Sequence, residues 1–156
     1  EGERCRGQRR ATVGSAESML WTDGTDVSWH TGAWTAVAHG DVTFNAATGT
    51  WTVASGDMVT YAYRLLGKTM IVAFRFLATT TSLATATVSV VIPASKTANR
   101  TVTNLCLIDE NGTATAAYAQ VTAAGTTIQF GKIPTANIAA LTDLFSVVGE
   151  ITFEVQ

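Results

Sequence analysis

The side chains able to do chemistry are few and scattered. Its carboxylates fall mostly in turn contexts: Asp23, Asp26, Asp41, Asp57, Asp109, Glu110 and Asp143. A glycosidase needs two carboxyls held apart across a sugar ring. Asp109 and Glu110 are adjacent and diverge if they lie on a strand, so their natural role is to solvate a turn. A Ser-His-Asp set can be written from a serine, His30 or His39, and Asp41, yet no G-x-S-x-G elbow accompanies it. The segment Asp23-Gly24-Thr25-Asp26 has two of the oxygens of a calcium loop but lacks the remaining ligands and the closing glutamate, and reads as an Asp-Gly hairpin turn. No C-x-x-C exists, and neither histidine is near Cys5 or Cys106, so no zinc site is expected. Cys5 lies in a polar leader and Cys106 in the apolar run "NLCLID", which predicts a free, buried Cys106 and no disulfide. These residues predict a non-enzymatic protein without metal or cofactor.

The tryptophans are distributed more informatively. Trp21, Trp29, Trp34 and Trp51 all fall in the first third of the 156 residues. Trp51 sits in a body long enough to bury it. Trp21 and Trp29 bracket a turn in a segment too short to cover them, so another subunit is the natural source of that cover, with sugar stacking as the alternative.

The elements that must position these groups are strands. With 27 Thr, 24 Ala and only three Lys, the composition favours β structure. Net charge is −2 and no basic patch marks the body, which argues against nucleic acid; four arginines within residues 1–10 are diluted by Glu1 and Glu3 and read as a solvated leader. No apolar run approaches the ~18 residues of a membrane span, so no membrane insertion is expected. No signal peptide is recognisable, and a first residue that is Glu rather than Met suggests a processed product or a piece of something longer.

Residues 1–33 read as a leader and neck, and residues 34–156 as one β-rich domain. "DMVTYAYRLL" alternates Val59, Tyr61, Tyr63 and Leu65 on one face, and Leu66-Gly67 reverses the chain into "KTMIVAFRFLA", where Met70, Val72, Phe74 and Phe76 align. Val88, Val90 and Ile92 form a run ended by Pro93, and Asn111-Gly112 centres a second hairpin. Shorter strands are expected around Asn45 and Gly49, with others at "GTTIQFG" and "GEITFEV". About eight to ten strands at this spacing predict an antiparallel β-sandwich or jelly roll with an extended N-terminal neck. In "PTANIAALTDLFSVVG", Ile138, Leu141, Leu144, Phe145 and Val148 follow helical spacing behind a Thr135 or Asn137 cap, so this stretch is either one short helix or an apolar loop closing the sandwich.

A family likeness follows from several of these stretches taken in order. "SMLWTDGTDVSW" resembles the connector that precedes the C-terminal head of bacteriophage tail fibres and related tail proteins. "VTYAYRLLGKTMIVAFRF", "VSVVIPAS", "CLIDENGT", "GTTIQF" and "GEITFEV" are similar to successive strands of those heads. The resemblance covers about Glu17 to the end and implies a homotrimeric, virion-associated β-sandwich that recognises a bacterial surface glycan, in company with other tail or capsid proteins. The alternative it leaves open is a structural virion component, such as a head fibre, decoration or collar fibre protein, without receptor binding. A depolymerase would need the long repetitive β-helix that this length cannot hold.

Loop tips are then the expected ligand contacts: Thr80, Ser82, Asp109, Glu110, Asn111 and Thr126. The expected subunit contacts are Trp21, Trp29, Trp34, Ile138, Leu141 and Phe145, with the Asp23-Gly24 turn folding a neck that is ordered by trimerisation.

Overall fold

The computed structural model describes residues 32–156 in full and the backbone of Met19–Thr22 and Val27–His30. Two compact units are present, residues 1–33 and 34–156. In the first, β1 (Met19–Thr22) pairs antiparallel with β2 (Val27–His30), in the register Leu20 opposite Trp29 and Trp21 opposite Ser28. The side chains of Trp21 and Trp29, the Asp23-Gly24 turn and Cys5 lie outside the described residues.

The second unit is all-β and antiparallel. Its strands are β3 (Thr35–Ala36), β4 (Phe44–Ala46), β5 (Trp51–Thr52), β6 (Met58–Leu66), β7 (Thr69–Thr81), β8 (Val88–Val91), β9 (Val102–Glu110), β10 (Thr113–Val121), β11 (Thr127–Lys132) and β12 (Leu141–Glu154). They form one sheet in the order β3-β6-β7-β12-β9-β10-β11-β8-β4, with β5 paired to β7. The sheet curls over on itself, so its two halves face each other across a single core and give the two-layer arrangement without a second sheet.

Alternation explains most of that core. Met70, Val72, Phe74 and Phe76 on β7, Val88 and Val90 on β8, and Ile151 and Phe153 on β12 are all buried. Phe76 lies at the centre, edge-on to Phe44 and Trp51 at ring distances of 5.5 Å each. Trp51 is 3% exposed and donates its indole N–H to Thr79 Oγ1 at 2.9 Å, as a buried indole must. The β6–β7 hairpin turns at Gly67, φ +60°, with Leu66 opposite Thr69. Asn111 and Gly112, both at positive φ, turn β9 into β10 with Glu110 opposite Thr113.

Two expectations are corrected. Val59 is half exposed, because a register shift between Met58 and Thr60 turns it outward and puts Met58 against the core in its place. The apolar stretch is not a helix: residues 133–140 form a loop tied down by an isolated bridge at Ile138, and from Leu141 the chain is strand β12, paired with β7 and β9. Its irregularity comes from register shifts around Phe145, with Asp143 on β12 at φ +55° and Ala78 on β7 at φ +54°. Asp143 is held there by Thr80, whose hydroxyl donates to Asp143 Oδ1 at 2.9 Å and accepts from the Asp143 N–H at 3.0 Å.

Candidate functional site

The curled sheet closes without a continuous ladder, and an open hollow lies at that seam. One edge is β3, two residues long on the flank of β6; the other is β4 on the flank of β8. Edges this short offer little for another strand to pair with. The Tyr61 hydroxyl crosses the seam and donates to the carbonyl of Val91. Burial pushes the Tyr61 phenol above its ordinary range, which favours the protonated form that donates this bond.

Beside this bond runs an open groove of about 740 Å³. One wall is Thr35 to Ala38 with Tyr61 and Tyr63; the other is Val91 to Lys96; Asp41, Thr43 and Thr126 complete it. The second wall is set by Pro93, which is buried and ends β8 because it cannot donate to a ladder. Ala94 and Ser95 follow at φ +56° and +52°, in the left-handed region that side-chain-bearing residues seldom occupy. Neighbouring bonds hold the turn in place: Ile92 N–H donates to Thr126 O at 2.8 Å and Val91 N–H to Thr43 O at 3.3 Å. His39 is not part of the lining; its Nε2 lies 2.7 Å from Val53 O.

The lining therefore combines residues that bear hydroxyls (Thr35, Thr43, Tyr63, Ser95, Thr126), one carboxylate (Asp41), one ammonium (Lys96) and aromatic carbon (Tyr63) with aliphatic residues of both walls, among them Val37, Val91 and Ile92. That chemistry suits a neutral, hydroxyl-rich ligand. A lone carboxylate does not make an acid-base pair, and among the described residues no three His, Cys, Asp or Glu side chains converge to hold a metal ion.

Of the loop-tip residues expected to bind ligand, only Thr126 lines this groove. The other five gather at the opposite end of the sheet around residues 139–144, where most of their polar groups are engaged. Thr80 is bonded to Asp143; Ser82 Oγ accepts from Thr50 N–H at 2.9 Å. Asp109 Oδ1 accepts from Gly112 N–H at 2.9 Å, which is the turn-solvating role. Glu110 pairs with Lys132 at 2.6 Å and accepts from Ala139 N–H at 2.6 Å, both charged side chains being only 15% exposed. Asn111 donates its backbone N–H to Leu144 O.

The expected subunit contacts also separate. Trp34 is exposed, with the Arg64 guanidinium 5.1 Å from its ring centre. Ile138 and Phe145 are fully buried and are corrected from contact residues to core: Ile138 bridges to Thr85 by two backbone bonds, and Phe145 packs edge-on to Trp51 at 6.1 Å. Leu141 is half-buried against the same core. Cys106 is buried and free, and burial pushes its thiol up to about 12.

Sequence reasoning did not assemble the groove: it named Asp41 only as a turn carboxylate and as a member of a Ser-His-Asp set on paper, placed Tyr63 on the inner face of its strand, and singled out neither Ser95 nor Lys96, although Pro93 marked the strand end beside them. Comparison of the chain with protein-family models, with curated proteins and with solved structures finds no match.

Proposed function

We propose that this chain is the head of a bacteriophage tail fibre, acting as a homotrimer that attaches to a bacterial surface glycan through the groove at the sheet seam. The observation that carries the reading is the lining of that groove: hydroxyls, a single carboxylate, a single ammonium and a half-buried tyrosine among small apolar side chains, without the paired acids of a glycan-cleaving site. The resemblance of the β6–β7 hairpin, the β8 strand and the closing strand to such heads supports it as well. Each site would be weak, and three on one particle would act together by avidity.

Whole-cell and glycan-array binding by the full chain tests this reading. Binding that falls at least about fivefold on Tyr63→Ala and on Asp41→Asn supports it, since each removes a groove contact of roughly 1 kcal/mol or more. Binding to no bacterial surface overturns it. A second reading, a structural virion component without receptor binding, is favoured by the internal bonding of Thr80, Asp109 and Glu110 at the other end of the sheet. Locating the chain in an intact particle separates the two.

A further inference from the structure

The outer surface of the central strands departs from what an antiparallel sheet with one wet face requires, namely apolar residues inside and polar residues outside. On β9 both faces are apolar. Cys106 and Ile108 point inward, while Leu105 is 77% and Leu107 54% exposed. Val148 of β12 lies directly opposite Leu107, and Ala116 of β10 lies opposite Leu107 on its other side. Tyr118 stands opposite Leu105 and lays its ring over Gly131, where an added Cβ would come within 2.5 Å of the phenol oxygen. Aliphatic and aromatic carbon thus runs unbroken across three neighbouring strands. A strand apolar on both faces is the pattern of a strand covered on both sides.

The charges beside this stripe indicate what covers it. Arg75 of β7 lies opposite Val148, and Glu150 lies two residues further along β12, opposite Ala73. Both are exposed, and neither is among the ion pairs that the described residues form. One face therefore carries an apolar centre with Arg75 and Glu150 at one margin, outside the ion pairs of the described residues, and Asp109, engaged by the Gly112 N–H, two residues beyond Leu107 at another. The Arg75 and Glu150 charges are complementary to those of a copy turned about a two-fold axis. Such a copy can set its Glu150 on this Arg75 while the leucines meet. A polyanion would be repelled by Glu150, and a purely apolar partner would leave both charges uncompensated.

We propose that the outer face of β7, β12, β9 and β10 is the surface through which copies of this chain associate, with Leu105, Leu107 and Val148 at its centre and an intermolecular Arg75–Glu150 pair at its rim. The inference rests on the self-association in the reading above but gives it as a pairing of like faces about a two-fold axis, which stands beside the three-fold assembly and does not supply it, and it is independent of what the groove binds.

Sedimentation velocity of the full chain over a hundredfold concentration range tests it. Wild type is expected to associate, and Leu105→Glu with Leu107→Glu to weaken association by about a hundredfold or more, as for central apolar contacts. Arg75→Glu and Glu150→Arg are each expected to weaken it, and the double swap to restore it; a variant that merely misfolds cannot be rescued in this way. Far-UV circular dichroism on each variant checks that the sheet is retained. A wild-type chain that stays monomeric throughout overturns both this surface and the self-association, whatever the glycan result. Association that persists in the leucine variant, or a swap without rescue, overturns this surface alone and leaves the reading standing.

Discussion

Thr79→Val removes one oxygen from the core while leaving its shape almost unchanged. Thr79 is fully buried; its hydroxyl accepts the Trp51 indole N–H and donates to the Phe145 carbonyl, each at 2.9 Å. Valine fills the same space but leaves the indole donor, 3% exposed, without its acceptor and deprives the carbonyl of one donor. A buried donor without a partner costs about 1–3 kcal/mol, the carbonyl adds a smaller amount, and the added methyl returns about 0.8 kcal/mol at most. The expected net loss is about 1–3 kcal/mol. Thr79→Ser is the informative control, because it keeps the hydroxyl and loses a methyl, at about 1 kcal/mol. Apolar burial alone would rank valine at or above threonine and serine last; the hydrogen-bond relay ranks serine above valine. Urea unfolding of the full chain at fixed concentration, followed by far-UV circular dichroism, gives the order. Valine as stable as wild type, or more stable than serine, refutes the relay.

Three further outcomes follow from the packing. Gly149→Ala should destabilise by about 1–3 kcal/mol in the same assay, because its Cβ would fall 2.7 Å from Cys106 Cβ, which moves only with its own backbone, and 3.1 Å from Cζ of the Phe74 ring, which is buried in the core. Glu110→Ala should cost about 3 kcal/mol, since it leaves the Lys132 ammonium in a largely dry site and the Ala139 N–H without its acceptor; a loss below about 0.5 kcal/mol would place that pair with ordinary surface ion pairs. Cys106, its thiol held protonated up to about 12, should resist alkylation at pH 8 in the native chain and react on unfolding in urea, as read by peptide mass mapping.

Where the strand period ran without interruption, the inner face could be read directly from the sequence. Met70 to Phe76, Val88 to Ile92 and Ile151 to Val155 each alternate, and each is buried as that period requires. The reading failed where backbone irregularity breaks the period. Leu141 lies opposite Thr81 and Phe145 opposite Thr79, so β12 has two residues more than β7 between these pairs. Inward positions there fall four apart rather than two, and with Ile138 three residues earlier the spacing imitates a helix. Glycine would have signalled the distortion, but Ala78 and Asp143 occupy the left-handed positions, held by Ser146 and Thr80 through side-chain bonds that no local pattern displays.

The site was harder to read for a different reason. The groove draws its walls from residues near 35–43, 61–63, 91–96 and 126, which meet only because the sheet curls until Tyr61 reaches Val91. Residue type could not single them out, since a chain with 27 threonines and little charge uses hydroxyls everywhere. Many of those hydroxyls complete the core: Thr81 donates to Ala139 O and accepts from Leu141 N–H, and Thr85 donates to Thr87 O while accepting from Thr48 N–H. A threonine in this fold is therefore a ligand candidate only where the backbone leaves its hydroxyl unengaged. The run "NLCLID" shows the complementary limit. Its apolar character was visible, but adjacent strand residues face opposite sides, so half of it must point away from the core whatever its hydropathy. Burial of Cys106 therefore entails exposure of Leu105 and Leu107 on an isolated subunit, and that exposure is the strongest reason to expect a second copy on the outer face.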